Sequence, residues 1–398
     1  MKYKARWRAL FFVYLFMLAF AVTFQCIPPV FGFIVSSLKI SHAQAGALMS
    51  LFALPGIVIS IPSGILADFY GSKRVGMAAL AITLAGTLLV GLGDSYPLVV
   101  AGRIISGSGA LTIAVVAPQV LSRWFADGRD LGKAMGIFNT AMPLGTIFTL
   151  NVFGRLAAAS SWRVPILLTA VYSLFVLFLF FFRYPGLPGE KKQQEQREKP
   201  EFKDSVYAII RIGLPVWLVS AIWMMYHTFA IPFLTFTGDY YISAGYDISY
   251  AGFLTSLFMV GSLLFSPLVG YLTDRIGSEE YFIAGGCLAL FAILLLIPRT
   301  GLNPLLLGGL IGFFAAFVPS PVFSLLAKIL HPSQVGLGYG ILSTFLNLGV
   351  LVGPLLVGFS YDLTRSYLAG FNLMAVFALA TAAIAILLRF VNQSKTRR

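Results

Sequence analysis

Gly64-Ile65-Leu66-Ala67-Asp68 recurs 206 residues later as Gly270-Tyr271-Leu272-Thr273-Asp274, and Gly71, three residues past the first copy, is answered by Gly277. The echo extends well beyond this stretch. Gly136, Ile137, Thr140, Leu144 and Gly145 are matched by Gly340, Ile341, Thr344, Leu348 and Gly349 at an offset of 204, and Ile27-Pro28 is matched by Ile231-Pro232 at the same offset. Several matches at nearly one offset make the chain two copies of one structural unit.

Each copy is built for a bilayer. Of 398 residues, 58% are hydrophobic and 11% charged, against roughly 45–50% and about 25% in soluble domains, which excludes a soluble globular protein. Apolar runs long enough to cross a hydrocarbon core fall near residues 10–35, 44–67, 75–92, 97–121, 134–157 and 164–182, and again near 212–235, 250–272, 281–298, 304–328, 340–361 and 368–390. The expected fold is all-α and polytopic: twelve transmembrane helices in two pseudo-symmetric six-helix bundles. Residues 1–182 form the first bundle, 183–211 a cytoplasmic linker and 212–398 the second bundle. The linker carries Pro185-Gly186-Leu187-Pro188-Gly189 and then the charged run from Glu190 to Lys199. Lys2, Lys4, Arg6 and Arg8 followed by Ala19-Phe20-Ala21 imitate a cleaved signal peptide. The apolar run continues past that site, and the Ile27-Pro28 repeat makes the first span part of the fold.

Charge sets the orientation. The chain has 28 basic and 15 acidic residues, a formal charge of +13. With an inner N-terminus, 22 basic residues lie on the inner side and five, Lys39, Arg155, Arg163, Arg299 and Arg365, on the outer. That split places both termini in the cytoplasm of a cell whose inner membrane holds the protein. It accounts for the basic excess through lipid headgroups, with no nucleic-acid partner. Cys26 and Cys287 lie in apolar runs and suggest neither a disulfide framework nor a metal site. No Walker loop, dinucleotide fingerprint, HExxH pair or nucleophile elbow occurs, so neither an enzyme nor a cofactor is expected.

Within the spans, Arg103 stands out. An arginine at depth in a bilayer costs about 3 kcal/mol on insertion scales unless it faces protein or water. Its planar fork suits a carboxylate. The bland reading is a guanidinium bonded to helix backbone near Gly107 and Gly109, or one snorkelling outward. Arg155, one turn after Asn151, is a weaker candidate nearer the outer surface. All fifteen carboxylates fall in loops or at helix ends, which leaves His227 as the intramembrane side chain that titrates near neutrality. His227 and Arg103 are therefore the coupling candidates, His227 being equally readable as a packed hydrogen-bonding residue. Asp68 and Asp274 emerge at cytoplasmic helix ends before Gly71 and Gly277 turns, where a carboxylate can meet a helix N-terminus or an arginine. A contact made in one conformation only would act as a latch, with Arg123 or Arg129 as partners of Asp68; a plain charged turn is the alternative.

Six plus six spans, a central linker and a repeated Gly-x-Leu-x-Asp-x-x-Gly resemble the major facilitator superfamily of secondary transporters over nearly the whole chain. The first copy keeps Gly64, Asp68, Gly71, Lys73 and Arg74 of the family's signature loop, with Phe69 where a basic residue is usual. The second keeps Asp274, Arg275 and Gly277 but continues with Glu279-Glu280. Arg103 followed by Gly107 and Gly109 is similar to an arginine motif of the family's fourth span. Met142-Pro143-Leu144-Gly145 departs from its antiporter signature. The resemblance implies that the loop takes part in switching between outward-facing and inward-facing states. It also implies a cavity lined by Phe24, Gln25, Pro28, Arg103, Ser106, Asn139, Trp223, Tyr226, His227, Phe317, Ser320, Pro321 and Asn347, with Pro28, Pro232, Pro319 and Pro321 interrupting helices. The expectation is a monomeric symporter or uniporter that moves a small organic anion by alternating access, with a proton or the substrate's own charge as coupling agent. An exporter or flippase of neutral hydrophobic compounds is the alternative, and a receptor that binds solute without moving it is the alternative of another class.

Overall fold

The protein is described here by a computed structural model covering residues 2–125, 130–184, 212–330 and 335–396. The linker expected over 183–211 lies outside the described residues from 185 onward, as does Arg129.

Helix follows helix, with breaks where the chemistry demands them. Helix α1 (Lys2–Phe24) stops ahead of Pro28-Pro29, two successive residues without a backbone N–H. A 3₁₀ turn (Pro28–Val30) then leads into α2 (Phe31–Leu38). Next come α3 (His42–Tyr70), α4 (Ser72–Leu92) and α5 (Tyr96–Trp124). The fifth span, expected to be continuous over 134–157, is two helices, α6 (Leu131–Asn139) and α7 (Ala141–Ala159). At the break Thr140 donates its hydroxyl to the Ile137 carbonyl at 2.7 Å, a side-chain bond that competes with the helical ladder. Helix α8 (Arg163–Arg183) closes the first set.

The second set opens with α9 (Leu214–Ser243), α10 (Ile248–Ile276) and α11 (Glu279–Leu296). The tenth span divides into α12 (Pro304–Ala315) and α13 (Pro319–Ile329), Pro319 and Pro321 falling in the first turn of α13. Helices α14 (Val335–Thr364) and α15 (Tyr367–Thr396) complete it. Pro232 corrects an expectation: it lies inside α9 without ending it. The carbonyl it frees, that of Thr228, lies where Gly353 brings the backbone of α14 close. Among the described residues eleven stretches are long and apolar enough to cross a membrane, and the α6–α7 pair supplies the twelfth. This is the expected all-α, twelve-helix fold.

The chain divides into two compact units, Met1–Ile40 with Leu51–Lys199, and Ser41–Ser50 with Pro200–Arg398. In the first, α5 packs on α4 and α1, α4 on α8, and α1 on α7 and α8. In the second, α9 packs on α14, α15 and α10, while α11 packs on α15. Helix α3 is shared, since its opening turns group with the second unit and the rest with the first.

Glu279-Glu280, the departure in the second copy of the repeated stretch, has a local explanation. Both carboxylates are buried in the first turn of α11, where the helix dipole favours negative charge. Glu279 pairs with Lys328 of α13 and accepts from Ser324 at 3.0 Å. Glu280 meets Arg389 at 3.6 Å and accepts from Asn392 of α15 at 3.0 Å. The pair thus joins α11 to α13 and α15. Arg389 is partly exposed, so Glu280→Ala is expected to cost about 2 kcal/mol, less than the roughly 3–5 kcal/mol of a fully buried pair. A lowered melting temperature of the purified variant checks this.

Candidate functional site

Several of the candidate residues gather in a group within each unit. In the first unit the group forms where α1 breaks. A helix that stops before Pro28-Pro29 leaves its last carbonyls without helical donors, and Arg103 of α5 supplies them. Its guanidinium donates to the Thr23 carbonyl at 2.9 Å and the Phe24 carbonyl at 3.3 Å, with the Cys26 sulfur 3.7 Å away. The charged group sits 4.4 Å from the ring centroid of Phe52, a cation–π contact. Arg103 is 1% exposed, so its charge is held entirely inside protein. The backbone reading of Arg103 describes its partners here, with one correction: the backbone is that of α1, not of the stretch near Gly107 and Gly109.

Next in the chain after Phe24 is Gln25, 0% exposed, whose amide nitrogen and oxygen both find no hydrogen-bond partner among the described residues. Leaving such a group unpaired costs about 1–3 kcal/mol, a cost a solute's polar group can relieve. Phe24 stacks with Phe20 at 5.9 Å and packs on Phe52 at 5.2 Å. Ser106 is turned inward, donating to the Arg103 carbonyl at 3.1 Å. Asn151 donates to the Ile147 carbonyl at 2.8 Å within its own helix, and Arg155 is exposed. Neither joins the Arg103 group.

In the second unit Trp223, Tyr226 and His227 are packed together on α9. The Trp223 and Tyr226 rings stack at 5.6 Å, and His227 stands edge-on to Trp223 at 4.3 Å. His227 Nδ1 lies 2.9 Å from the Trp223 carbonyl, and the Tyr226 hydroxyl donates to the Ala315 carbonyl at 3.3 Å. Asn347 of α14 is buried. Its amide nitrogen donates to the Ser343 carbonyl at 3.0 Å, whereas its oxygen has no partner among the described residues. Gly349, two residues on, lets α14 approach α9 closely, because a Cβ there would stand 2.3 Å from the Met224 carbonyl oxygen. Phe317 packs with Phe282, Phe313 and Phe314, and Ser320 donates to the Ser266 carbonyl at 3.1 Å. Asn139, in the first unit, is exposed at the end of α6 and joins neither group.

The latch residues divide likewise. Gly71 and Gly277 have positive φ, 92° and 71°, which the turns at these helix ends require. Lys73 donates to the carbonyls of Phe181 and Tyr184, both at 3.0 Å, and so closes the C-terminal end of α8. Arg74 is exposed, Arg123 is half-buried, and Arg275 reaches the Tyr271 hydroxyl at 3.5 Å. The side chains of Asp68 and Asp274, on which the latch expectation turns, lie outside the described residues.

Two neighbours of these groups were missed in the sequence. Phe52 could have been found through Gly107, one turn beyond Arg103 on the same face of α5. A Cβ on Gly107 would stand 2.1 Å from the Phe52 carbonyl oxygen, so that glycine fixes where α3 crosses. Ser220, buried with a hydroxyl that has no partner among the described residues, lies one turn before Trp223 on the face that carries His227.

The Major Facilitator Superfamily profile matches residues 10–252 and 239–398, and the chain belongs to that superfamily of membrane transporters. It is similar to the lysosomal dipeptide transporter MFSD1 of Danio rerio, 21% identical over 370 residues that cover 89% of this chain and 79% of the relative. It is similar also to the hexuronate transporter of Bacillus subtilis (strain 168), 22% identical over 90% of this chain and 88% of that one. In fold it matches a crystal structure of the nucleoside transporter NupG with a TM-score of 0.76 and 14% identity, over 97% of this chain and 99% of that one.

Proposed function

We propose that the protein transports a small organic anion bearing a carboxylate, by alternating access, with Arg103 as the charge partner and Gln25 as a second polar contact. The observation that carries this reading is a fully buried guanidinium held on the Thr23 and Phe24 carbonyls, next in the chain to Gln25, a fully buried amide with no hydrogen-bond partner among the described residues. A carboxylate is a stronger acceptor than the Thr23 and Phe24 carbonyls that now hold the guanidinium, since both partners are then charged. It can therefore take over part of the fork. Within the second unit, Trp223, Tyr226 and His227 form an apolar cluster, and the same unit buries the polar Asn347 and Ser220, a composition suited to a small organic solute. Two similar proteins support the chemical class, since a hexuronate and a dipeptide each carry a carboxylate.

In this reading the protein works as a monomer in the inner membrane with both termini cytoplasmic. Asp68 and Asp274 act as cytoplasmic latches with Lys73, Arg74, Arg123 and Arg275 close in sequence or across the loop. His227 is the coupling candidate of the second group, and Arg103 that of the first.

The test is uptake into proteoliposomes of a labelled hexuronate and a labelled dipeptide beside the matched neutral hexose. At least one carboxylate is expected to enter about tenfold faster than the hexose, roughly the 1.4 kcal/mol of one charge-assisted contact. Movement of neutral apolar compounds alone would favour the exporter reading, and binding without movement the receptor.

A further inference from the structure

One cluster of titratable groups lies outside both candidate groups, at the start of α3 and wholly within the second unit. His42 stands between two carboxylates. Its Nε2 is 3.5 Å from Asp239 of α9, and its Nδ1 is 4.0 Å from Asp362 of α14. The imidazole lies on the Tyr361 ring at 3.8 Å and edge-on to Tyr367 of α15 at 6.2 Å. Tyr367 in turn donates its hydroxyl to Asp239.

The backbone takes part as well. Asp362 accepts from the backbone N–H of His42 at 3.0 Å and of Ala43 at 2.8 Å, so a residue of α14 caps the N-terminus of α3. Ser41 and Gln44 complete the cap from within, each backbone N–H meeting the other's side chain at 2.9 and 3.2 Å. The approach is close. A Cβ on Gly358 would stand 2.5 Å from the His42 carbonyl oxygen, and one on Gly46 2.5 Å from that of Pro354. The first turns of α3 are thus docked into the second unit, although the helix from Leu51 onward belongs to the first.

We propose that His42 is a proton-binding site that governs this docking. With an N–H on both ring nitrogens, the imidazolium faces a carboxylate on each side and holds the first turn of α3. Loss of one proton leaves two carboxylates around a neutral ring, and the turn is released.

The groups facing His42 are Asp239 from α9, Tyr361 and Asp362 from α14, and Tyr367 from α15. Among the described residues neither carboxylate pairs with a lysine or arginine. The imidazolium is therefore the positive charge this cluster has. His42 is mostly buried at a helix end, so the charge state of its ring is felt directly by both carboxylates. The proposal rests on the alternating-access reading. Acid then favours the docked form and alkali the released one, which makes the transport cycle responsive to pH on the side His42 faces.

Hydrogen–deuterium exchange on the purified full-length protein tests this without any substrate. In the docked form the His42 and Ala43 amides are bonded to Asp362, so the peptide spanning them reports the clasp directly. After correction for intrinsic exchange, its protection is expected to fall about tenfold between about pH 5.5 and about pH 8.5, while a peptide from the interior of α15 stays constant. His42→Gln is expected to abolish that pH dependence. Should that variant not fold, Asp239→Asn, which still accepts from Tyr367, is expected to reduce the change below about threefold. Flat protection in the wild type, or the same pH dependence in the folded variants, overturns the proposal. Either result leaves the carboxylate reading untouched, since no solute is present.

Discussion

Arg103→Ala is expected to reduce carboxylate uptake by at least about a hundredfold, the size of a lost contact of about 3 kcal/mol to a desolvated charge. The same substitution withdraws the donors that meet the Thr23 and Phe24 carbonyls at the break of α1. A fall in stability of about 2 kcal/mol should accompany the loss of transport. Arg103→Lys separates the two effects. An ammonium keeps the charge but lacks the planar fork, so it can bond one carbonyl but cannot present the bidentate face to a solute. The lysine variant is expected to regain most of the stability and little of the uptake. Initial rates in proteoliposomes, normalised to folded protein, measure one; melting temperatures in detergent measure the other. A lysine variant that transports at the wild-type rate would show that positive charge alone suffices.

Gly107→Val is expected to be the most damaging packing change in the first unit. The added Cβ would meet the Phe52 carbonyl oxygen at 2.1 Å, and that oxygen belongs to helix backbone that cannot swing aside. Helix α3 must move away from α5, at a cost of about 3 kcal/mol. For a unit of this size that corresponds to a fall in melting temperature of roughly 6–12 °C. The shift also carries Phe52 off the Arg103 guanidinium, so solute binding should weaken beyond the loss of folded protein. Gly136→Ala is the control, because a Cβ there meets nothing within 4 Å, and it is expected to leave both properties unchanged.

Much of the architecture could be read from the sequence because membrane physics leaves few choices. The repeat from Gly64 to Asp68 at an offset of 206 and the apolar runs gave the twelve-helix pattern. Proline was read less well. Pro28 and Pro232 occupy equivalent places in the two copies, yet only the first breaks its helix. Pro28 is followed by Pro29, so two donors vanish in succession. Pro232 frees a single carbonyl, in a place where Gly353 lets a neighbouring helix come close. Arg103 was legible as a costly residue that needed partners, and Pro28 as a break that exposes carbonyls. That each satisfies the other depends on the packing of α1 against α5, a tertiary fact that no local pattern states. The His42 cluster was hidden for the same reason: its contacts with Asp362 join residues 320 positions apart, and each carboxylate alone reads as an ordinary helix-end charge.

The central claim, a carboxylate bound at Arg103, is tested most directly by thermal unfolding of wild type and Arg103→Lys with matched ligands: a hexuronate against its uncharged amide, and a dipeptide against its C-terminal amide. A ligand that binds only the folded state raises the melting temperature. The account predicts that an acid raises it for the wild type, that its amide does not, and that the shift shrinks in the variant. Equal shifts from acid and amide, or shifts from neutral apolar compounds alone in both proteins, would contradict it.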